Sequence, residues 1–394
     1  MAIDYSYLDL LRIGGDAEFI VKHDGEKILD AYFVSRAPIR GFEKIMIGKN
    51  PVFAVEISMR ICGICHAAHG IAAVEAIEDA VGIMPPPNGI VLREIIGLVN
   101  RVQSHMIHLI LITPDIVKRE VAREFIIEEM KMLSVISDIL TKLGGAPTHP
   151  PNIVIGGIQS IPKERHLQDV VNKIKMLRSE ADNLINNILD DKNISETARI
   201  LMETKYAPKY LASHLFYGER SNLDVNEIVT KRYDEFRTDN IPEDAKSTTS
   251  LVALYKDAEV EVGPRARLSL FGKFGDNTIF GIQRARMMEM LMGLDRINDL
   301  LGQIDLTEPS KTETFILRRG QGVGVFEAPR GLLVHYVEIN SDGRIERHRI
   351  VVPTMFNIPI IEEASRGLPV SVADVIPRIY DPCIPCTTHM IRVK

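Results

Sequence analysis

Tryptophan is absent from the 394 residues, cysteine occurs only four times, and the basic surplus expected of a nucleic-acid binder is missing, the formal charge being -6. Without that surplus there is no electrostatic footprint for a phosphate backbone, so a nucleic-acid partner is excluded. The N-terminal MAIDYSYLDLLRIGGD carries acidic residues where a secretory leader is basic and has no unbroken apolar stretch, which predicts a cytoplasmic chain. The most apolar segments, residues 90–116 and 287–301, are interrupted by Arg93, Glu94, Asn100, Arg101, His105, Asp295 and Arg296. They are predicted as buried helices, with no transmembrane segment. So few cysteines, with no leader, argue against a disulfide framework and for thiols kept as ligands or redox groups. Internal repeats, low-complexity tracts and long linkers are also lacking.

What is present is ordinary globular material, 45% hydrophobic and 25% charged. Residues 17–36 alternate apolar and polar positions about Asp24-Gly25, the pattern of a hairpin. Ile71, Val74 and Ile77 in an alanine-rich run predict a helix starting just beyond Cys65. From 89 to 190 the periodicity is helical, with stops expected at Thr113-Pro114 and Gly144-Gly145. A further helix is expected from 277 to 304, its methionines serving as packing. GLLVHYVEI and RHRIVV flank the turn Asn340–Gly343 as strands. The expected architecture is α+β: a β-rich region over 1–59, a helical bundle over 60–310 and an α+β region over 311–394, interwoven as one unit.

All four cysteines fall in two pairs, Cys62-Gly63-Ile64-Cys65 and Cys383-Ile384-Pro385-Cys386. A Cys-x-x-Cys turn lets two sulfurs face one metal, and four soft thiolates suit zinc, iron, nickel or an iron–sulfur cluster. A thioredoxin-like dithiol at Cys62 and Cys65 is a second reading, favoured by the helix N-terminus but leaving the other pair unexplained. A structural zinc is a third, although zinc ribbons space their pairs about 15–20 residues apart and here 317 residues intervene. Such a separation predicts a site at the centre of the fold.

The flanks extend the pairs to R-I-C-G-I-C-H-A-A-H, from Arg60 to His69, and D-P-C-I-P-C-T-T-H, from Asp381 to His389. Together these resemble the two signature motifs of nickel-iron hydrogenase large subunits. Further segments look similar in the same order: Arg40–Lys44, Ser104–His108, Gly156-Gly157, Tyr217-Gly218, Glu261–Arg265, Glu327–Gly331 and Val352–Asn357. Their wording is closest to the α subunits of the methanogen, hence archaeal, members that reduce a deazaflavin coenzyme.

This resemblance implies the large-subunit fold packed around a buried dinuclear site, and heterolytic oxidation or production of dihydrogen. Nickel would be held by Cys62, Cys65, Cys383 and Cys386, with Cys65 and Cys386 bridging to an iron that carries carbonyl and cyanide. Arg330 would face the open metal side, Pro353 and Thr354 would contact the cyanides, and His69 would donate to a bridging thiolate. Glu43 and His389 match positions that hold magnesium; His105 and His108 are expected only to pack between helices. An iron–sulfur small subunit and a flavin-containing, deazaflavin-reducing subunit are the implied partners, since no cysteine is left here for a cluster. A maturation endopeptidase is implied as well, cleaving after His389 to release Met390–Lys394.

One stretch departs from the family. Where R-x-E-G-H is usual, with the glutamate relaying protons, this chain has Arg12-Ile13-Gly14-Gly15-Asp16. Asp16 and Glu18, two and four residues further along a strand, are the candidate substitutes; without one, the chain would be a slow, specialised or degenerate relative, a scaffold that keeps its metal without efficient turnover.

Overall fold

The computed structural model describes residues 3–217, 223–239 and 241–390; Gly218 and residues 391–394 of the tail lie outside them. The alternation over 17–36 produces the expected hairpin, strands Ala17–His23 and Ile28–Ser35 with Phe19 opposite Phe33. Gly25 supplies the left-handed turn at φ 101°. A third strand, Asp4–Asp9, pairs along the hairpin's edge. It gave no amphipathic signal because neither of its faces is buried.

Helix Pro51–Met59 starts where the Val52 amide donates to Asn50 Oδ1 (2.9 Å), a side-chain cap. It delivers the chain to the first cysteine pair. Helix His66–Val81 then begins directly at Cys65 and ends at Gly82, in the left-handed conformation. Helices Pro87–Ile116, Arg119–Gly144, Glu164–Ile188 and Gly281–Leu301 form the bundle. Met287 and Met290 are buried in it, as packing residues should be.

Two expectations need correction. Thr113-Pro114 does not end its helix, which continues to Ile116, because Pro114 sits in the last turn and its missing N–H removes only one bond. The Val117 amide still closes that turn on Thr113 O (3.1 Å). That same helix is, by length and composition, apolar enough to cross a bilayer, although 83% of its most apolar window is buried inside the protein. The charged interruptions did not disqualify it; burial accounts for its apolarity.

The C-terminal sheet is antiparallel, with Gly331–Ile339 between Gly320–Ala328 and Ile345–Val351. A shorter pair, Ile228–Arg232 with Leu251–Tyr255, was not anticipated. What places the first motif against the sheet is a match of small residues. Gly320, Gly322 and Gly324 recur every second position of a strand, and Ala72, Ala76 and Ala80 every fourth of helix His66–Val81. Two strand residues rise about 6.6 Å and four helical ones about 6 Å, so the rows stay in step. A Cβ on Gly322 would lie 2.2 Å from Ala76 O, and one on Gly324 would lie 1.9 Å from Ala72 O. Helix backbone and strand backbone therefore touch, and no larger residue fits.

Gly322→Ala is accordingly expected to cost about 1–3 kcal/mol by overpacking and to lower the metal content of purified protein. Chemical denaturation with metal analysis would check this, and an unchanged midpoint would contradict the direct backbone contact.

Candidate metal centre

The two cysteine turns meet in the interior. Cys62 Sγ lies 3.3 Å from Cys383 Sγ, Cys65 Sγ 3.3 Å from Cys386 Sγ, and Cys383 Sγ 2.8 Å from Cys386 Sγ. All four sulfurs fall within 4.8 Å of one another. All are buried and none is in a disulfide, whose S–S length is about 2.05 Å. The dithiol reading therefore fails, because Cys62 and Cys65 face the second pair and not solvent.

Four thiols this close cannot ionise independently. Hydrogen bonding from Cys383, then from Cys386 and Cys65, holds Cys62 well below the usual thiol range. Cys65 is raised, chiefly by Cys383, and Cys386 is raised by burial first and then by Cys383. The amides of Ile64 and Cys65 also point at Cys62 Sγ, at 3.3 and 3.4 Å. Only a cation among the sulfurs lets all four carry charge together, which is the condition a soft metal meets.

The cradle around the sulfurs is positioned by both ends of the chain. Arg40 Nη2 donates to Ile61 O (2.5 Å) and to Pro385 O, while the Arg40 amide donates to Thr388 O (2.6 Å). One guanidinium thus ties the backbones of both motifs, a role the sequence did not reveal because nothing in it relates Arg40 to residues 385 and 388. The Cys383 amide donates to Thr354 Oγ1 (3.0 Å), and Pro353 precedes it at the start of helix Pro353–Ser365.

Arg330 donates from Nε to Asp381 O (2.6 Å) and from Nη2 to Asp381 Oδ1 (2.9 Å), while Nη1 is buried with no partner among the described residues. Burial opposes its charge, but Asp381 and the sulfurs of Cys383, Cys65 and Cys62 outweigh that and keep it firmly protonated. Asp381 is buried too, yet Arg330 and then His108 hold its carboxyl well below the usual range. An orphaned buried donor in the field of four sulfurs is what a bound anionic or diatomic ligand would satisfy.

His69 Nε2 lies 3.6 Å from Cys386 Sγ, and burial depresses its pKa to about 3, so the ring is neutral. His105 and His108 do more than pack: His105 Nε2 is 2.8 Å from Glu289 Oε2, and His108 Nε2 is 2.9 Å from Gln283 Oε1. Glu43 and His389 are brought together, with Glu43 Oε1 3.5 Å and Ile350 O 2.8 Å from His389 Nε2. Burial works to raise Glu43, but His389 and the Ile350 amide overcome it and leave the carboxyl lowered.

Gly14 runs beside the second motif, its carbonyl accepting from the Ile384 amide (2.7 Å). A Cβ there would meet Pro382 O at 3.5 Å and Cys383 Cα at 3.6 Å, ordinary contacts, so the position has room for a side chain. The expected substitutes point elsewhere. Glu18 is ion-paired with Arg36 near the surface and Asp16 is exposed.

This chain belongs to the nickel-dependent hydrogenase family, whose profile matches residues 40–118 and 277–389. Within that family it is the large subunit, an oxidoreductase acting on dihydrogen. It is 36% identical to the coenzyme F420 hydrogenase subunit alpha of Methanocaldococcus jannaschii, over 96% of this chain and 92% of that protein. It is 33% identical to the same subunit of Methanothermobacter thermautotrophicus, over 97% and 94%. In fold it is similar to the nickel–iron–selenium hydrogenase of D. vulgaris Hildenborough, with a TM-score of 0.83 at 23% identity, covering 98% of this chain and 100% of that one. Four buried thiolates alone would also suit zinc; membership of the family decides for nickel.

Arg330→Lys should retain nickel but lower dihydrogen/deuterium exchange on the order of 100-fold, because the donors of lysine radiate from one nitrogen and cannot span from Asp381 to the site as the three nitrogens of the planar guanidinium do. Exchange at wild-type rate with full metal occupancy would contradict the placement.

Proposed function

We propose that this chain is the catalytic subunit of a deazaflavin-reducing hydrogenase, with nickel on all four cysteines and an iron bridged through Cys65 and Cys386. The observation that carries this reading is the convergence of four buried sulfurs with the unpartnered Arg330 Nη1. When bound, the dinuclear centre supplies the Lewis acidity that makes heterolysis of dihydrogen feasible. The chain's own groups do the rest. Arg330 holds the open side positively charged, and Thr354 Oγ1, which accepts from the Cys383 amide, keeps its own proton, so that Thr354 with Pro353 would be the residues to contact the cyanides if the group is bound. Cys62 and Cys383, the sulfurs not assigned to bridging, are the ones free to take a proton.

Magnesium belongs to the same reading. Glu43 Oε1, Ile350 O and His389 Nε2 converge with separations near the roughly 3 Å that neighbouring ligands of an octahedral ion would have. Electrons leave for a second chain, because the four cysteines are all committed here. We assign that chain as an iron–sulfur small subunit, followed by a flavin-bearing subunit that reduces the deazaflavin coenzyme; the similarity to two coenzyme F420 hydrogenase alpha subunits supports this. A cytoplasmic location and endopeptidase cleavage after His389 complete the proposal.

In purified complex we expect one nickel per chain, infrared bands of metal-bound carbonyl and cyanide, and dihydrogen/deuterium exchange. Nickel without exchange would indicate a metal-holding scaffold, and zinc without the infrared bands would overturn the reading. Gly14→Glu, whose Cβ meets only ordinary contacts, is expected to raise exchange by about tenfold or more, as a positioned general base does. An unchanged rate would mean that proton exit does not pass Gly14.

A further inference from the structure

Three imidazoles stand in line behind Cys386. His69 Nε2 is the atom 3.6 Å from the sulfur; His69 Nδ1 lies 3.2 Å from His335 Nε2, and His335 Nδ1 lies 2.9 Å from His348 Nε2. The rings meet edge to face, with centroids 5.4 and 5.1 Å apart. His69 comes from helix His66–Val81, and the other two from neighbouring strands of the C-terminal sheet. All three are buried.

Burial keeps the row neutral. The gaps of 3.2 and 2.9 Å between facing nitrogens each hold a single proton, so neighbouring rings cannot both be imidazolium, and none of the three is hydrogen-bonded to a carboxylate among the described residues. A neutral imidazole has one N–H and one bare nitrogen, so a row of three has only two self-consistent directions. Either every ring donates from Nε2 toward Cys386, or every ring donates from Nδ1 away from it.

The two ends decide between them. At the inner end a metal-bound thiolate has no proton and can only accept, so a bare His69 Nε2 would face an anion. At the outer end His348 Nδ1 is buried with no hydrogen-bond partner among the described residues. The outward direction would strand an N–H at that atom, whereas the inward direction leaves only a lone pair there. Both ends select donation toward the sulfur.

We infer that His335 and His348 are positioning residues of the hydrogenase: they fix His69 as the tautomer whose Nε2–H is donated to the Cys386 thiolate. This rests on the proposed bridging role of Cys386. A hydrogen bond withdraws electron density from the sulfur, so the two distant histidines set how strongly Cys386 donates to the metals.

The nickel-loaded complex tests the inference by infrared spectroscopy. In His335→Leu the bond to Cys386 loses its enforced direction, the sulfur donates more strongly, and the carbonyl band is expected to move to lower wavenumber. His348→Phe should shift it the same way by less, and His335→Gln, which keeps a donor and an acceptor, should restore most of the original position. Unmoved bands in His335→Leu protein holding its full nickel complement would overturn the inference. Absence of carbonyl and cyanide bands from the unmodified enzyme would instead sink the dinuclear reading. A second measurement needs no variant: solid-state NMR of unmodified complex labelled with 15N-histidine should show the proton on Nε2 of both His335 and His348. An Nδ1 proton on either ring overturns the inference even if the substituted proteins fail to assemble.

Discussion

Negative charge concentrated on four buried sulfurs is the condition around which the molecule is arranged. Two thiolates 3.3 Å apart repel by roughly 5 kcal/mol at an effective dielectric of about 20, and here four are gathered where water cannot screen them. Nickel, the metal of this family, would answer part of that charge. The protein adds Arg330, held in place by Asp381, and amide groups of the first turn aimed at Cys62. Arg40 binds the backbones of both motifs, so it fixes their relative geometry.

Holding such a cluster demands rigidity in what surrounds it, and the surrounding core is correspondingly polar. Arg267 is fully buried between Glu289 and Glu327, and Arg265 is paired with Glu261. Buried ion pairs of this kind add little net stability, but each admits few alternative geometries. The glycine strand against the alanine row works the same way through sterics, fixing where helix His66–Val81 begins and hence where Cys65 and His69 stand.

Much of this was legible in the sequence, for reasons that differ by element. The hairpin at 17–35 and the helix after Cys65 announce themselves because one face of each is apolar at the right period. The edge strand Asp4–Asp9 stayed hidden because it buries neither face. The cysteines were legible because four of one rare residue in two identical spacings leave few arrangements. Arg40, His335 and His348 were not singled out, since their partners lie far along the chain. A local hint existed for the histidines: His335 alternates with Leu333 and Val337, and His348 with Ile350, so each occupies an inward position of a strand where an apolar residue would be ordinary.

The stitching of residues 381–389 into the rest of the chain also bears on how long a bound metal stays. Cys383 is fastened by Thr354, Ile384 by Gly14, and Thr388 by Arg40, and behind those fastenings the four sulfurs are buried. Nickel held behind these fastenings would leave only when they break, so its retention would depend on how seldom the segment detaches as well as on affinity.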